Sequence, residues 1–138
     1  MPIKLDPSRQ EKVVAEVSYT FANLGNGVIN PAVKLPANAR VLEVINKIET
    51  AFNSGTNDAF VVQSNESSPK AYITISAALN SLTAGLTSRA ANTNLGFRNP
   101  VPSTIDIRWT GTGTAATTGA GTLIVEYVVD GRAAFAQD

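Results

Sequence analysis

The sequence predicts an all-β domain, either an antiparallel β-sandwich or jelly roll of about seven or eight strands or a small barrel. Apolar and polar residues alternate with period two in several segments. Turns rich in Gly, Pro and Asn separate these segments, and no segment keeps helical spacing over a long stretch. Because 138 residues is the usual size of one domain, we expect a single sandwich over residues 1–138.

Both chain ends are predicted to be extended. Residues 1–10 contain Pro2 and Pro7 among alternating apolar and charged residues, a pattern that is typical of an arm and not of a helix. The tail, residues 133–138, has a similar character. Each end is either a frayed terminus or an arm that lies on a neighbouring molecule.

The first half of the chain contains four predicted strands. KVVAEVSYTF (12–21) alternates cleanly, with Val13, Ala15, Val17, Tyr19 and Phe21 on one face. INPAVKLPANA (29–39) is broken by two prolines and can form an edge strand but not a central one. AFVVQS (59–64) forms a short strand after the turn NSGTND (53–58), which has the composition of a hairpin turn.

The longest predicted strand is RVLEVINKIETAF (40–52). A helix is possible here, but the β-branched residues and the flanking turns favour a strand. Its apolar face would contain Leu42, Val44, Ile48, Thr50 and Phe52, with the polar Asn46 interrupting that face.

The region KAYITISAALNSLTAGLTSRAANTNLG (70–96) is ambiguous. AYITI predicts a strand, but Ile75, Leu79, Leu82 and Leu86 then recur at helical spacing. Gly85 and the many Ser and Thr residues weaken a helix, so we predict a strand and then a long loop with one helical turn. Long loops of this kind often carry the contacts of a domain.

Two strands are predicted near the C-terminus. Residues 103–110 alternate with Trp109 on the apolar face, and residues 122–129 are apolar on nearly both faces. The second strand is therefore expected at the centre of a sheet or at a subunit contact. We expect a flexible glycine-rich hairpin between the two strands, with Trp109 and Tyr127 as cross-strand aromatics of the core or of an interface.

This glycine-rich segment also matches a cofactor motif by letter. GTGTAA (111–116) fits G-x-G-x-x-G/A, and Asp130 follows at roughly the spacing of the ribose-binding acid. That motif must open a helix whose N-terminus holds the pyrophosphate. Only the eight residues Thr114 to Gly121 precede the next strand, so no helix of useful length fits and a turn is the better interpretation.

Catalytic and metal-binding chemistry has little support in the sequence. The chain contains no Cys and no His, and it lacks both G-x-x-x-x-G-K-[ST] and S-x-x-K. NSGTND could hold calcium but has too few carboxylates, and Asp130-Gly-Arg132 is first a turn that ends a strand. A pair of acids for glycoside hydrolysis stays possible, although nothing marks one. We predict no enzyme activity, no cofactor and no metal.

The charge balance points to protein partners. Lys and Arg number 11 and Asp and Glu number 11, so the net charge is zero and a nucleic-acid partner is not expected. Charged residues make up only 16% of the chain, which suits uncharged contacts with other proteins. No apolar run has the length of a membrane helix, and we expect no membrane partner.

Two segments resemble a pattern in small virion proteins of tailed bacteriophages that are described as head decoration or cement proteins. TAFNSGTND (50–58) is similar to a long strand that ends in T-A-F-x-x-G-T-x-D. WTGTGTAATTGAGTLIVEYVVDGRAAF (109–135) is similar to a W-T-G-T-G hairpin that leads to a strand ending in E-Y-x-x-D-G-R. The resemblance is best over 37–58 and 105–134, and residues 70–99 match no pattern.

The resemblance implies a β-sandwich or jelly roll that binds the outside of a phage capsid and cements adjacent major capsid protein subunits. It implies a virion protein made in the host cytoplasm, with the major capsid protein and further copies of itself, as a homodimer or homotrimer, as partners. The alternative is a tail or fibre module that binds a host glycan or receptor. The candidate partner contacts are Ile3, Leu5, Arg9, Leu86, Arg89, Arg98, Arg132 and Phe135.

Overall fold

Two antiparallel sheets pack against each other in the computed structural model, which describes residues 12–75, 84–90 and 92–129. The predicted arms at 1–10 and 133–138 lie outside these residues, as do Leu79 and Leu82 of the ambiguous region. Within them the strands are β1 (Val13–Thr20), β2 (Ile29–Leu35), β3 (Ala39–Thr50), β4 (Asn57–Ser64), β5 (Ala71–Ile75), β6 (Thr87–Arg89), β7 (Arg98–Asn99), β8 (Ser103–Thr112) and β9 (Ala120–Val129). One short helix, α1 (Phe21–Leu24), follows β1, and a 3-10 turn spans Asn92–Asn94.

The strand order is that of a jelly roll. The first sheet runs β1-β9-β3-β6, with β7 also on β3, and the second runs β2-β8-β4-β5. The last two strands return to lie between earlier ones, β9 between β1 and β3 and β8 between β2 and β4. The chain passes repeatedly between the two sheets, as in a double Greek key. The predicted all-β antiparallel sandwich is confirmed, and β9 is central as expected.

The hairpin predicted between the last two strands is wrong. β8 belongs to the second sheet and β9 to the first, so residues 113–119 cross from one sheet to the other. Trp109 and Tyr127 therefore lie in different sheets and are not cross-strand neighbours. The loop after β3 also crosses between sheets and is not a hairpin turn. Alternation identifies the buried face of a strand but contains no information on which strand lies beside it.

The core fills the space between the inner faces of the two sheets. Both sheets contribute side chains of zero or near-zero exposure, and Phe52 joins them from the loop after β3. Complete burial of one such aliphatic or aromatic side chain contributes about 1.5–3 kcal/mol before the loss of conformational entropy is counted. The most deeply buried apolar residues are Val44, Ile48, Phe52, Phe60, Val62, Ile105, Ile107, Leu123 and Val125.

A bulge in β3 corrects the face predicted for that strand. The register with β9 shifts between Val41 and Glu43, so Val41 enters the core and Leu42 is 39% exposed. A second shift between Ile48 and Thr50 leaves Thr50 exposed as well. Asn46 is buried at 1% exposure and accepts a hydrogen bond from the Tyr19 hydroxyl, so this polar residue belongs to the core.

The remaining elements follow local chemistry. The first strand ends one residue earlier than predicted, because Thr20 and Asn23 form a capping box that starts α1 at Phe21. β2 is an edge strand, as its proline predicted, and the register with β8 shifts just after Pro31. The predicted long loop contains two short strands, β6 and β7, that lie along β3. Among the described residues, no helix is long and apolar enough to cross a membrane.

Candidate functional site

The two segments that resemble the phage pattern meet in space at one end of the sandwich. Residues 21–28, 51–57 and 113–119 form this surface, which we name the crossover end. The Gly55 N–H donates to the Thr114 carbonyl at 2.9 Å, and the Thr56 N–H donates to the Thr112 carbonyl at 2.8 Å. The Phe21 N–H donates to the Gly119 carbonyl at 2.9 Å, so all three segments are linked through their backbones.

Side chains add further hydrogen bonds between the loops 51–57 and 113–119, which we name the crossover loops. Asn53 Oδ1 accepts from the backbone N–H groups of Thr117 and Thr118 at 2.8 and 3.0 Å, and its Nδ2 donates to Thr117 Oγ1 at 2.8 Å. The Thr118 hydroxyl donates to the Ala51 carbonyl at 2.8 Å. These bonds satisfy backbone groups that would otherwise need water, which stabilises the loops in one arrangement.

A buried carboxylate lies beneath these loops. Asp58 is 1% exposed and accepts from Trp109 Nε1 at 2.9 Å and from the Ser54 N–H at 3.2 Å. The Trp109 ring packs against Phe52 with centroids 5.3 Å apart. Both oxygens of the one acid in NSGTND therefore face the protein interior, an arrangement that serves packing and not cation binding.

Two glycines of the loop 113–119 are required at the crossover end, because neighbouring atoms leave no room for a Cβ. Gly113 has a φ of 88°, and a Cβ there would lie 2.8 Å from the Thr56 nitrogen. A Cβ at Gly119 would lie 2.6 Å from Phe52 Cδ2. Because β9 follows the motif GTGTAA (111–116) with no helix between them, the motif also lacks the helix N-terminus of a dinucleotide site.

The crossover end is uncharged. Residues 21–28, 51–57 and 113–119 contain no Asp, Glu, Lys or Arg. Its exposed residues are mostly Thr, Asn, Gly and Ala, with Val28 exposed by 49% and the adjacent Ile29 by 50%. This surface is consequently neutral.

The opposite end of the sandwich contains charges and a cleft. Residues 36–38, 65–70 and 96–102 form this surface, which we name the charged end, and β1 begins and β9 ends beside it. Lys70 Nζ lies 3.1 Å from Glu66 Oε2 and 5.0 Å from the centre of the Phe97 ring. Phe97 and Val101 are 56% and 58% exposed. Apolar and charged groups are thus accessible together at this end.

An open cleft of about 470 Å³ lies within the charged end. Among the described residues, Asn99 Nδ2 in its wall is buried with no hydrogen-bond partner. Burial, and next the charge of Glu66, raise the pKa of the nearby Tyr72 hydroxyl from its usual 10.0 to about 12. The cleft is lined by Asn65, Glu66, Ser67, Ser68, Lys70, Asn99, Val101, Pro102 and Ser103.

Three of the predicted partner contacts lie along one sheet edge. The strands β6 and β7 follow the outer edge of β3, with Arg89 opposite Ile45 and Arg98 opposite Arg40. Arg89 Nη1 is 3.6 Å from Glu43 Oε2, and the arginine side chain is 63% exposed. Leu86 is half-buried against the core, which leaves less of it for a partner.

The other predicted contacts, Ile3, Leu5, Arg9, Arg132 and Phe135, lie outside the described residues. Sequence reasoning did not identify Phe97 and Val101, because a single apolar residue in a Pro- and Gly-rich loop gives no periodic signal. Sequence reasoning also did not predict that the two crossover loops are joined by hydrogen bonds. Both loops contain Gly, Thr and Ala, but only the strand order brings them together.

No protein-family model and no curated protein matches the chain. The chain shares its fold with chains of phage capsid structures. A chain in the capsid asymmetric unit of cyanophage Pam1 has a TM-score of 0.68 at 16% identity, covering 94% of this chain and 91% of that chain. A chain in the acid-stable capsid of Helicobacter pylori bacteriophage KHP30 has a TM-score of 0.63 at 15% identity, covering 88% and 94%. A chain in the capsid of Ralstonia phage GP4 has a TM-score of 0.58 at 19% identity, covering 96% and 92%.

The correspondence extends over nearly the whole of both chains in each pair, so the jelly roll itself is the shared unit. Among the described residues, no group of three acidic, His or Cys side chains is placed to hold a metal ion. Of the two ends of the described sandwich, one is neutral and its loops are joined by hydrogen bonds, and the other is charged and partly apolar.

Proposed function

We propose that this protein is a structural component of a phage head that binds the outside of the capsid and cements adjacent major capsid protein subunits. The observation that carries the proposal is the fold similarity to chains of three phage capsids, which covers at least 88% of this chain and at least 91% of each of those chains. Chains of matching size and fold in three separate capsids support a role as a whole virion subunit.

The charged end faces the shell in this proposal. Glu66, Lys70 and Arg98 place charges of both signs at this end, and Phe97 and Val101 provide exposed apolar surface. Charged groups at a contact select the partner and accelerate binding, whereas apolar groups supply most of the affinity. β1 begins and β9 ends beside this end, and we propose that the segments 1–10 and 133–138 add further contacts with the shell.

Cementing then follows from symmetry and number. Each copy contacts more than one capsid subunit, and a capsid presents the same contact many times. Linked weak contacts hold neighbouring subunits more strongly than any one contact does. If the protein binds only the mature shell, its binding free energy stabilises that form by mass action.

Co-sedimentation with empty shells of the parent phage tests the proposal. We expect the purified protein to sediment with shells in a fixed ratio and to raise the temperature at which the shells open. Deletion of residues 1–10 should weaken attachment while the fold is retained. The substitution Thr114→Ala, at an exposed site on the crossover end, is the matched control and should leave attachment unchanged.

The second candidate function is glycan or receptor binding by a head fibre or tail module. The exposed Phe97 favours it, because its ring contacts Lys70 of the cleft wall and aromatic rings pack on sugars. A glycan array with the free protein separates the two functions. Glycan binding that Phe97→Ala abolishes, together with no sedimentation with shells, would favour the second candidate over the first.

A further inference from the structure

Strand β1 lies at one edge of the first sheet. β1 pairs with β9 on one side, and on its other side no strand pairs with it among residues 12–75, 84–90 and 92–129. An edge strand presents a row of unpaired N–H and C=O groups that can pair with another chain. Proteins protect such edges with prolines, bulges, inward charges or very short strands.

The other sheet edges of this molecule have such protection. β2 contains Pro31 and a register shift directly after it. β5 has five residues, and its pairing with β4 shifts between Val62 and Gln63. β6, on the opposite edge of the first sheet, has only three residues.

β1 has none of these features. It has eight residues without proline, and its register with β9 is continuous from Val13 to Thr20. Glu16, its one charged residue, points outward. Val13 and Val14, on opposite faces of the strand, are 37% and 57% exposed. An unprotected edge with exposed valines on both faces is a surface that another strand can cover.

We infer that β1 pairs antiparallel with β1 of a second copy of this chain, about a two-fold axis at Val14. A strand edge is self-complementary under a two-fold axis, so one edge satisfies the hydrogen-bonding groups of its copy. In this register Lys12 lies opposite Glu16 of the copy, twice, and Val14 lies opposite its copy. The Lys12 ammonium also lies 2.8 Å from Glu126 Oε1 of its own chain, and its side chain is 55% exposed, so it can contact both acids. An axis at Glu16 would instead bring two like charges together.

Cysteine cross-linking tests this pairing directly, because the chain contains no cysteine. A cysteine on the two-fold axis faces its own copy at a distance that a disulfide can span. Val14→Cys should form a disulfide-linked dimer under mild oxidation. Ile29→Cys, in the protected edge strand β2 and 50% exposed, is the matched control and should form no disulfide-linked dimer. Equal cross-linking of both variants, or none at Val14→Cys, would overturn the inference.

A charge exchange tests the register without a cross-link. Wild-type protein should sediment in analytical ultracentrifugation at twice the 14.5 kDa chain mass. Glu16→Lys should raise the dimer Kd about tenfold, because two attractive pairs become repulsive. Adding Lys12→Glu should recover part of this loss, because it restores the attraction between the copies but removes the ion pair of Lys12 with Glu126 within each copy. A wild-type monomer at all concentrations, or equal dimerisation of the single and double variants, would contradict the pairing. All of these measurements use free protein, so they are independent of shell binding.

Discussion

The two ends of the sandwich differ in what their polar groups contact. At the crossover end, Asn53, Thr118 and Asp58 direct their hydrogen bonds to the protein's own loops. At the charged end, Phe97 and Val101 are exposed and a cleft is open. The crossover end thus maintains the connection between the sheets, and the charged end is available for partners. Substitutions should accordingly change stability at one end and binding at the other.

The largest expected effect is on the core beneath the crossover end. Phe52→Ala should lower the free energy of unfolding by about 3–5 kcal/mol, because the ring is 2% exposed and packs against Trp109 and Phe60. The control at the charged end is Phe97→Ala, which should change the free energy of unfolding by less than about 0.5 kcal/mol. Urea unfolding of both variants measures the difference, and equal losses would contradict the division between the ends.

The buried carboxylate should have the next largest effect. Asp58→Ala leaves the Trp109 and Ser54 N–H groups without their acceptor and should cost about 2–3 kcal/mol. Its counterpart is Glu66→Ala, which removes a partly exposed ion pair and should cost no more than about 1 kcal/mol. Thermal unfolding compares the two, and a larger loss for Glu66→Ala would be incompatible with this account.

These two contrasts also show how far the sequence predicts the fold. Alternation identified the buried faces of β1 and β8 and the apolar character of β9, because side-chain direction in a strand has period two. It failed at Leu42, where a bulge depends on pairing with a distant strand. The apposition of the two crossover loops likewise depends on strand order, which local patterns do not contain.

The candidate site was less predictable than the fold. Arg89 and Arg98 are on one exposed edge, but no local pattern marks them as neighbours, because β3 brings them together through pairing. Phe97 and Val101 gave no signal at all. Surface function depends on which loops meet, and loops have no periodicity from which to predict this.

A charge placed at either end should affect shell binding differently. Arg98→Glu at the charged end should weaken co-sedimentation with shells about tenfold, because it reverses an exposed charge at the proposed contact. Thr114→Glu adds an acid at an exposed position of the crossover end and should leave binding unchanged. The reverse result would assign the shell contact to the crossover end.

The smallest effect near neutral pH is expected from Tyr72. Burial and the nearby Glu66 raise its pKa to about 12 in the folded protein, above the usual 10.0 of the unfolded chain. The neutral hydroxyl therefore stabilises the fold fully below pH 10, and this contribution is lost as the pH rises towards 12. Unfolding measured from pH 8 to 12 should show a decline that Tyr72→Phe reduces. Part of this decline in stability should remain in Tyr72→Phe, because burial also raises the pKa of Tyr19. An unchanged decline in Tyr72→Phe would contradict the assignment.

Cryo-electron microscopy of the phage head tests the central claim most directly. The account predicts density for this jelly roll on the outer surface of the capsid, bridging adjacent major capsid protein subunits. Residues 65–70 and 96–102 should face the shell, and the uncharged loops should face away from it. Heads that lack this density, or density in which the crossover end contacts the shell, would contradict the account.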